Sequence, residues 1–278
     1  GGCKIGKRPI DQHITGLRDL GAHIEVENGF VNAKIQGEKK KLVGSKIFLS
    51  CPSVGATETL IMAATLAEGR TVIENAAREP EIQDLCLMLN KMGAQIYGYG
   101  NSKIIIDGVE KLSGCKHKVI PDRIEAGTFL IASAATLSNI TIGPVIPNHL
   151  ESVLETLKAT GSKILIKGNE ITIKTKEIKA VNIKTAPFPG FPTDLQAPFT
   201  ALMAIAKGNS EISETIYENR MGHVDLLNSM GASIKLVNNI AKIQGVDQLK
   251  GQTLKGLDLR STAALIIAAL SAKDTSYI

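Results

Sequence analysis

A glycine-centred pattern that returns about every 70 residues constrains this chain more than any other feature. Leu20-Gly21-Ala22-His23-Ile24 is echoed by Met92-Gly93-Ala94-Gln95-Ile96, Thr160-Gly161-Ser162-Lys163-Ile164 and Met230-Gly231-Ala232-Ser233-Ile234. The glycines step by 72, 68 and 70 residues. That period exceeds the common solenoid repeats, so each unit must be a small packed subdomain. Ala-rich stretches recur in the same phase, at 57–68, 127–137, 196–207 and 261–273. Their apolar residues are dense on more than one face, which predicts buried helices. Three are followed by short β-branched runs, Thr71-Val72-Ile73, Ile140-Thr141-Ile142 and Glu211-Ile212-Ser213. The helix before each repeat glycine is amphipathic; Leu85, Leu89 and Met92 stack on one face. The glycine itself fits a left-handed C-terminal cap. Two strands follow, as at 94–97 and 103–106. One unit therefore reads α-β-α-β-β, and the fold class is α/β, with sheets packed on buried helices.

The chain begins and ends out of phase with its repeat. It opens at Gly1-Gly2-Cys3 without Met and stops at Tyr277-Ile278 inside a predicted strand, so a piece of a longer protein is expected. Pro121 interrupts the pattern in Val119-Ile120-Pro121-Asp122-Arg123. The expected domains are 1–121 and 122–278. A 44% hydrophobic, 21% charged composition excludes a disordered chain. Apolar stretches such as 263–270 are too short to span a bilayer, and no signal peptide is visible. With no Trp and 4% aromatics, a base-stacking nucleic-acid surface is disfavoured. The net charge of +5 is shared between the halves, which suits an enzyme of anionic small molecules or a weak DNA clamp. Cysteines at 3, 51, 86 and 115 have no metal or disulfide spacing and read as reduced thiols. No metal is expected, and no Walker or Rossmann fingerprint occurs.

Several segments could carry chemistry. Gly1-Gly2-Cys3-Lys4-Ile5-Gly6-Lys7-Arg8-Pro9-Ile10-Asp11 joins three glycines to three cations. Its cations would favour a Cys3 thiolate and bind phosphate or carboxylate; the plain alternative is a surface loop with an inert thiol. Ala186-Pro187-Phe188-Pro189-Gly190-Phe191-Pro192-Thr193-Asp194-Leu195-Gln196 leads rigidly into a helix. Thr193 or Asp194 could simply cap that helix, or Asp194 could be a general base aimed at a substrate hydroxyl. In Glu218-Asn219-Arg220 the arginine could grip a carboxylate or make a surface ion pair. Ser53-Val54-Gly55-Ala56-Thr57 could hold a phosphate on a helix N-terminus, or be capped by Ser53 or Thr57. Ala77-Arg78-Glu79-Pro80-Glu81 reads as an ion pair at the surface or between domains. His13 could help bind an anion; the other histidines read as structural.

Taken together, the chain resembles the enolpyruvyl transferase family, and within it the members that act on UDP-N-acetylglucosamine. The resemblance runs along nearly all of the chain. It is carried by Gly1-Gly2-Cys3, Arg8-Pro9, Asp11, Pro52-Ser53-Val54-Gly55-Ala56-Thr57, Glu74-Asn75-Ala76-Ala77-Arg78-Glu79-Pro80-Glu81, Pro121-Asp122-Arg123-Ile124-Glu125, Gly127-Thr128, Phe191-Pro192-Thr193-Asp194-Leu195-Gln196 and Glu218-Asn219-Arg220. It implies two similar domains of three repeats each, of the inside-out α/β barrel type, with the active site in their cleft. It implies transfer of the enolpyruvyl group of phosphoenolpyruvate to the 3′-hydroxyl of UDP-N-acetylglucosamine with phosphate release, the first committed step of bacterial peptidoglycan synthesis in the cytoplasm. Cys3 matches the general acid and adduct-forming nucleophile, which fosfomycin would alkylate. Asp194 matches the residue held against the sugar hydroxyl. Arg8 matches a phosphate-binding arginine, and Arg220 a carboxylate-side one. Arg8, Pro9, Ile10, Asp11 and Gln12, then Cys51, Pro52, Ser53 and Val54, then Ile216, match segments that hold the UDP-sugar. Some relatives carry Lys where this chain has Cys51. No cofactor, nucleic acid or membrane partner is implied. A leading Lys-Asn pair, a further Arg and a C-terminal Arg of the family have no counterpart here, so the piece alone is expected to lack turnover. Rival readings are the 3-phosphoshikimate enolpyruvyl transferase, a cationic DNA clamp and an inactive paralogue.

Overall fold

The computed structural model describes residues 9–35 and 41–278. They fall into two compact units that divide between Ile120 and Pro121.

The first unit runs α1 (Asp11–Asp19), β1 (Ala22–Glu27), β2 (Phe30–Ile35), β3 (Lys46–Phe48), α2 (Val54–Ala64), β4 (Arg70–Glu74), α3 (Pro80–Lys91), β5 (Gln95–Tyr97) and β6 (Lys103–Asp107). β1 and β2 form an antiparallel hairpin. The other strands make a sheet in the order β3-β4-β6-β5, in which β3 runs parallel to β4 and the remaining pairs are antiparallel. Strand periodicity turns Ile47, Ile73, Ile104 and Ile106 inward, where they pack on Leu60 and Ile61 of α2 and on Ile82 and Cys86 of α3.

The second unit runs α4 (Arg123–Ala135), β7 (Asn139–Ile142), α5 (Glu151–Ala159), β8 (Lys163–Lys167), β9 (Glu170–Lys174), β10 (Ile183–Lys184), α6 (Gln196–Ala204), β11 (Asn209–Ser213), α7 (His223–Ser229), β12 (Ser233–Val237), β13 (Ile240–Gln244) and α8 (Leu259–Leu270). Its sheets are β7-β9-β8 and β10-β11-β13-β12. The second has the same order and directions as β3-β4-β6-β5. The structure thus adds a short leading strand to the expected unit. β3 and β10 are three and two residues long, too short to show an alternating pattern. Parallel bridges Val43–Glu68, Lys179–Lys207 and Leu249–Ala272 repeat the same lead-in three times.

The repeat glycines act as expected. Gly21, Gly93, Gly161 and Gly231 have φ of +91°, +104°, +100° and +93°, the left-handed region that ends a helix. Three residues earlier, Asn90 and Asn228 each clasp the strand that follows: the amide donates to the carbonyl of Ile96 or Ile234 and accepts from the same residue's N–H.

Helix α6 is buried at every position, as its all-round apolar sequence predicts, and α4 and α8 pack on it. Small residues permit this: Ala197, Ala201 and Ala204 on α6, Ala134 on α4, Ala264 and Ala268 on α8. Gly127 of α4 is required by a close approach. A Cβ there would lie 2.4 Å from Cδ1 of Leu195, the fully buried end of the Thr193–Leu195 3-10 turn. That contact seats the turn that carries Asp194. Among the described residues no helix is long and apolar enough to cross a membrane.

Candidate active site

In the second unit, three connections converge on Asp194. It lies in the 3-10 turn that leads into α6. Arg220 lies between β11 and α7, and Arg260 in the first turn of α8. Arg220 Nη2 donates to Asp194 Oδ1 at 2.5 Å, and Arg260 Nη2 to Oδ2 at 3.3 Å. Arg220 Nη1 donates to the Thr193 hydroxyl at 2.8 Å, and the guanidinium lies over the Tyr217 ring. Arg220 is only 7% exposed, so this is a buried pair and not a surface one. The Asp194 side chain is 37% exposed, which leaves its outer edge open to solvent.

Behind this pair sits a second carboxylate. Glu214, 3% exposed, accepts at Oε1 from the backbone N–H groups of Ile216 and Tyr217 at 2.7 and 3.1 Å, and from the Thr185 hydroxyl at 3.0 Å. Its Oε2 accepts from the Thr193 hydroxyl at 2.8 Å. Two acids and two arginines therefore form one neutral cluster, the condition under which buried charge is tolerable. Burial pushes the Asp194 carboxyl upward, but the charges and hydrogen bonds of Arg220 and Arg260 outweigh it and hold the pKa below the ordinary value. Asp194 is ionised at neutral pH. Burial pushes His223 down to about 4, so the imidazole beneath the cluster is neutral.

The capping reading of this segment does not hold. No side chain caps α6; Thr193 and Asp194 turn to Glu214 and the arginines instead. Arg260, Glu214 and Thr185 escaped the sequence reading. Arg260 could have been found by repeat phase, because Asp258-Leu259-Arg260 opens the third Ala-rich helix of the second unit where Asp122-Arg123 and Thr193-Asp194 open the other two.

In the first unit, the starts of α1 and α2 lie together. Both ends of the Gln12 amide meet Cys51: Nε2 donates to Sγ at 3.1 Å, and Oε1 accepts from the Cys51 N–H at 3.3 Å. Pro9, Ile10, Asp11, Cys51 and Pro52 are exposed, and Gln12, Ser53 and Val54 are half-buried. Ser53 caps α2 by accepting from the Ala56 N–H. Thr57 does not cap; its hydroxyl accepts from the Ala77 N–H. Two stretches matched to one ligand are thus neighbours, held by a glutamine clasp. Ile216 sits in the second unit on the Glu214 loop, 37% exposed. Arg78 is exposed and donates to the Gly100 carbonyl. Cys3 and Arg8 lie outside the described residues.

The sequence matches the EPSP synthase (3-phosphoshikimate 1-carboxyvinyltransferase) family over residues 1–278, and the chain belongs to that family. It is 71% identical over 278 residues to the UDP-N-acetylglucosamine 1-carboxyvinyltransferase of Prochlorococcus marinus strain MIT 9312, covering 100% of this chain and 61% of that protein. The protein of the same name from Synechococcus sp. strain CC9605 is 57% identical over 279 residues, covering 100% of this chain and 64% of its own length. The chain spans about three fifths of the length of such relatives. Among solved structures, the enolpyruvyl transferase NikO from Streptomyces tendae superposes with a TM-score of 0.85 at 24% identity, over 96% of this chain and 66% of its own. An EPSP synthase from Acinetobacter baumannii does so with 0.70 at 22%, over 97% and 66%. At those identities the likeness is one of fold.

Proposed function

We propose that the protein to which this chain belongs transfers the enolpyruvyl group of phosphoenolpyruvate to the 3′-hydroxyl of UDP-N-acetylglucosamine and releases phosphate, as a cytoplasmic step of peptidoglycan synthesis. The observation that carries the reading is the Asp194 carboxylate gripped by two arginines on the Phe191-Pro192-Thr193-Asp194 segment. The acceptor is chosen on the names of relatives 57–72% identical along the chain.

In this reaction the sugar oxygen bonds to C2 of phosphoenolpyruvate while C3 gains a proton. The C2–O bond to phosphate then breaks as C3 returns a proton, leaving an enol ether. Asp194 is suited to accept a hydrogen bond from the attacking hydroxyl, because it is ionised and half open to solvent. Its depressed pKa makes it a weak base while both arginines hold it. The long Arg260 contact is the one that an incoming substrate carboxylate would displace most readily, and its release would raise the basicity of Asp194. Arg220 and Arg260 then serve the anion, as preorganised donors in a partly dry site. Pro9, Ile10, Asp11, Gln12, Cys51, Pro52, Ser53 and Val54 of the first unit and Ile216 of the second are assigned to the UDP-sugar. Cys3 is assigned as acid and adduct-forming thiol, and Arg8 to phosphate.

The test is inorganic phosphate release by the full-length protein, given phosphoenolpyruvate with either UDP-N-acetylglucosamine or shikimate 3-phosphate. Release with the sugar nucleotide alone supports the proposal. Release with the shikimate ester moves the acceptor, and release with neither overturns the enzymatic reading.

A further inference from the structure

The two four-stranded repeats can be compared at the end of one inner strand. Asn75 and Glu214 each directly follow the last residue of the middle strand of their sheet. Each reaches the residue just after the leading strand, Leu49 or Thr185, and the backbone N–H groups of those two residues donate alike to the Glu74 and Ser213 carbonyls. In the first unit Asn75 Nδ2 donates to the Leu49 carbonyl at 2.8 Å, and in the second the Thr215 hydroxyl makes the matching bond to the Thr185 carbonyl at 2.6 Å. A neutral donor therefore ties the leading segment in both units, and no carboxylate is needed for it. The second unit nonetheless buries a carboxylate to 3% exposure and gives it four donors. A buried charge is costly when a neutral group would suffice. The extra acceptor, Oε2, points to Thr193.

We infer that Glu214 is a positioning residue for the Asp194 carboxylate, acting through the Thr193 hydroxyl and the Arg220 guanidinium. This rests on the enolpyruvyl transfer reading only for its consequence in turnover. The relay has a direction. Arginine only donates, and an ionised carboxylate only accepts. The Thr193 hydroxyl stands between them, so its proton is committed to Glu214 and its lone pair to Arg220. Arg220 is thereby fixed with its other nitrogen on Asp194. The same carboxylate holds the Ile216 and Tyr217 N–H groups, and so the loop whose Tyr217 ring underlies Arg220. Glu214 thus ties the residue matched to the sugar to the pair matched to the reacting groups.

Glu214→Gln keeps the shape and breaks the direction. With its amide nitrogen toward Thr193, the hydroxyl proton has no acceptor; with the amide flipped, the nitrogen faces two backbone N–H donors. Thr193→Val removes the hydroxyl and leaves Glu214 intact, which covers the case in which the glutamine variant fails to fold. The groups facing Asp194 are Arg220 and Arg260, with Glu214, His223 and Asp258 behind them. Loosening Arg220 should raise the titration of Asp194 in the ligand-free full-length protein, read by carbon NMR of labelled aspartate and assigned with Asp194→Asn. In phosphate release, kcat should fall roughly 10- to 100-fold with a smaller rise in KM, and the acid limb of its pH profile should move up. The double variant should be no worse than the poorer single one. An Asp194 titration unmoved in both folded variants overturns the relay, whatever the enzyme's substrate. Absence of phosphate release by the wild type would refute the reaction instead and leave the titration to judge the relay.

Discussion

Replacing Asp194 by Asn in the full-length protein tests the electrostatic core of the site without changing its shape. Arg220, 7% exposed, loses a charge-assisted hydrogen bond, a class worth roughly 1.5–3 kcal/mol. The Arg260 contact is longer, 3.3 Å, on a side chain 26% exposed, and contributes no more than about 0.5 kcal/mol. Asparagine retains an acceptor for Arg220, and Asp194 is 37% exposed, so water screens part of the charge. The expected net loss is about 1–2 kcal/mol, or roughly 3–6 °C in Tm for a unit of this size. The loss should depend on pH. The folded pKa of Asp194 lies below its ordinary 3.8, so the stabilisation is fully present above that unfolded value and fades as pH falls through the lower folded one. Urea unfolding followed by circular dichroism, run on both proteins from pH 7 down to 3, reads this directly. The difference should be constant from pH 7 to 5 and shrink below 4. Equal stability at pH 7, or a gap that persists undiminished at pH 3, would refute the ion-pair account.

Three other outcomes follow from the packing. Gly127→Val places side-chain carbon against buried Leu195, so the turn must shift; it should cost about 1–3 kcal/mol and weaken sugar-nucleotide binding in calorimetry, and unchanged values would remove that contact as the seat of the turn. Cys86 is fully buried with its thiol pushed up to about 12, whereas Cys51 and Cys115 are exposed; iodoacetamide mapping of native protein should spare Cys86, and early labelling there would contradict the core. His223 is held at about 4, so the unfolded chain takes up a proton that the folded chain refuses; stability is fully present above pH 6.5 and falls below it, by up to about 1.4 kcal/mol per pH unit toward 4, and His223→Gln should flatten that slope.

The repeat was legible because its marks are local. A glycine with positive φ, an amphipathic turn before it and a hairpin after it are each written in a few consecutive residues, and all four glycines adopt that conformation. Helix burial was legible for the same reason, as α6 carries no charged residue to turn outward. The leading strands β3 and β10 were not, because two or three residues have no period and their pairing is parallel, closed across an intervening helix. Asp194 and Arg220 were named separately, but their pairing spans 26 residues of chain and is a property of packing. Glu214 looked like one acid among many, since nothing in Ser213-Glu214-Thr215 announces that its side chain is buried.

What marks the site is the departure from the repeat, not the repeat. The first unit obeys local rules: Ser53 caps α2, Asn75 ties the leading strand, and Arg78, on the strand-to-helix connection, lies in solvent. The corresponding features of the second unit break each rule. Helix α6 starts without a side-chain cap, although Thr193 and Asp194 stand beside it, forgoing about 1 kcal/mol. An acid is buried where the first unit has an amide, and Arg220, on the connection that corresponds to that of Arg78, is buried with it. Each change alone is destabilising, and together they satisfy one another in a neutral cluster. Local rules broken at three coordinated places, in one repeat and not its sister, are the pattern expected of a functional site, and they support the proposed one. Their shared consequence is one partly exposed carboxylate with both oxygens aimed by arginines, the feature on which the proposed transfer depends.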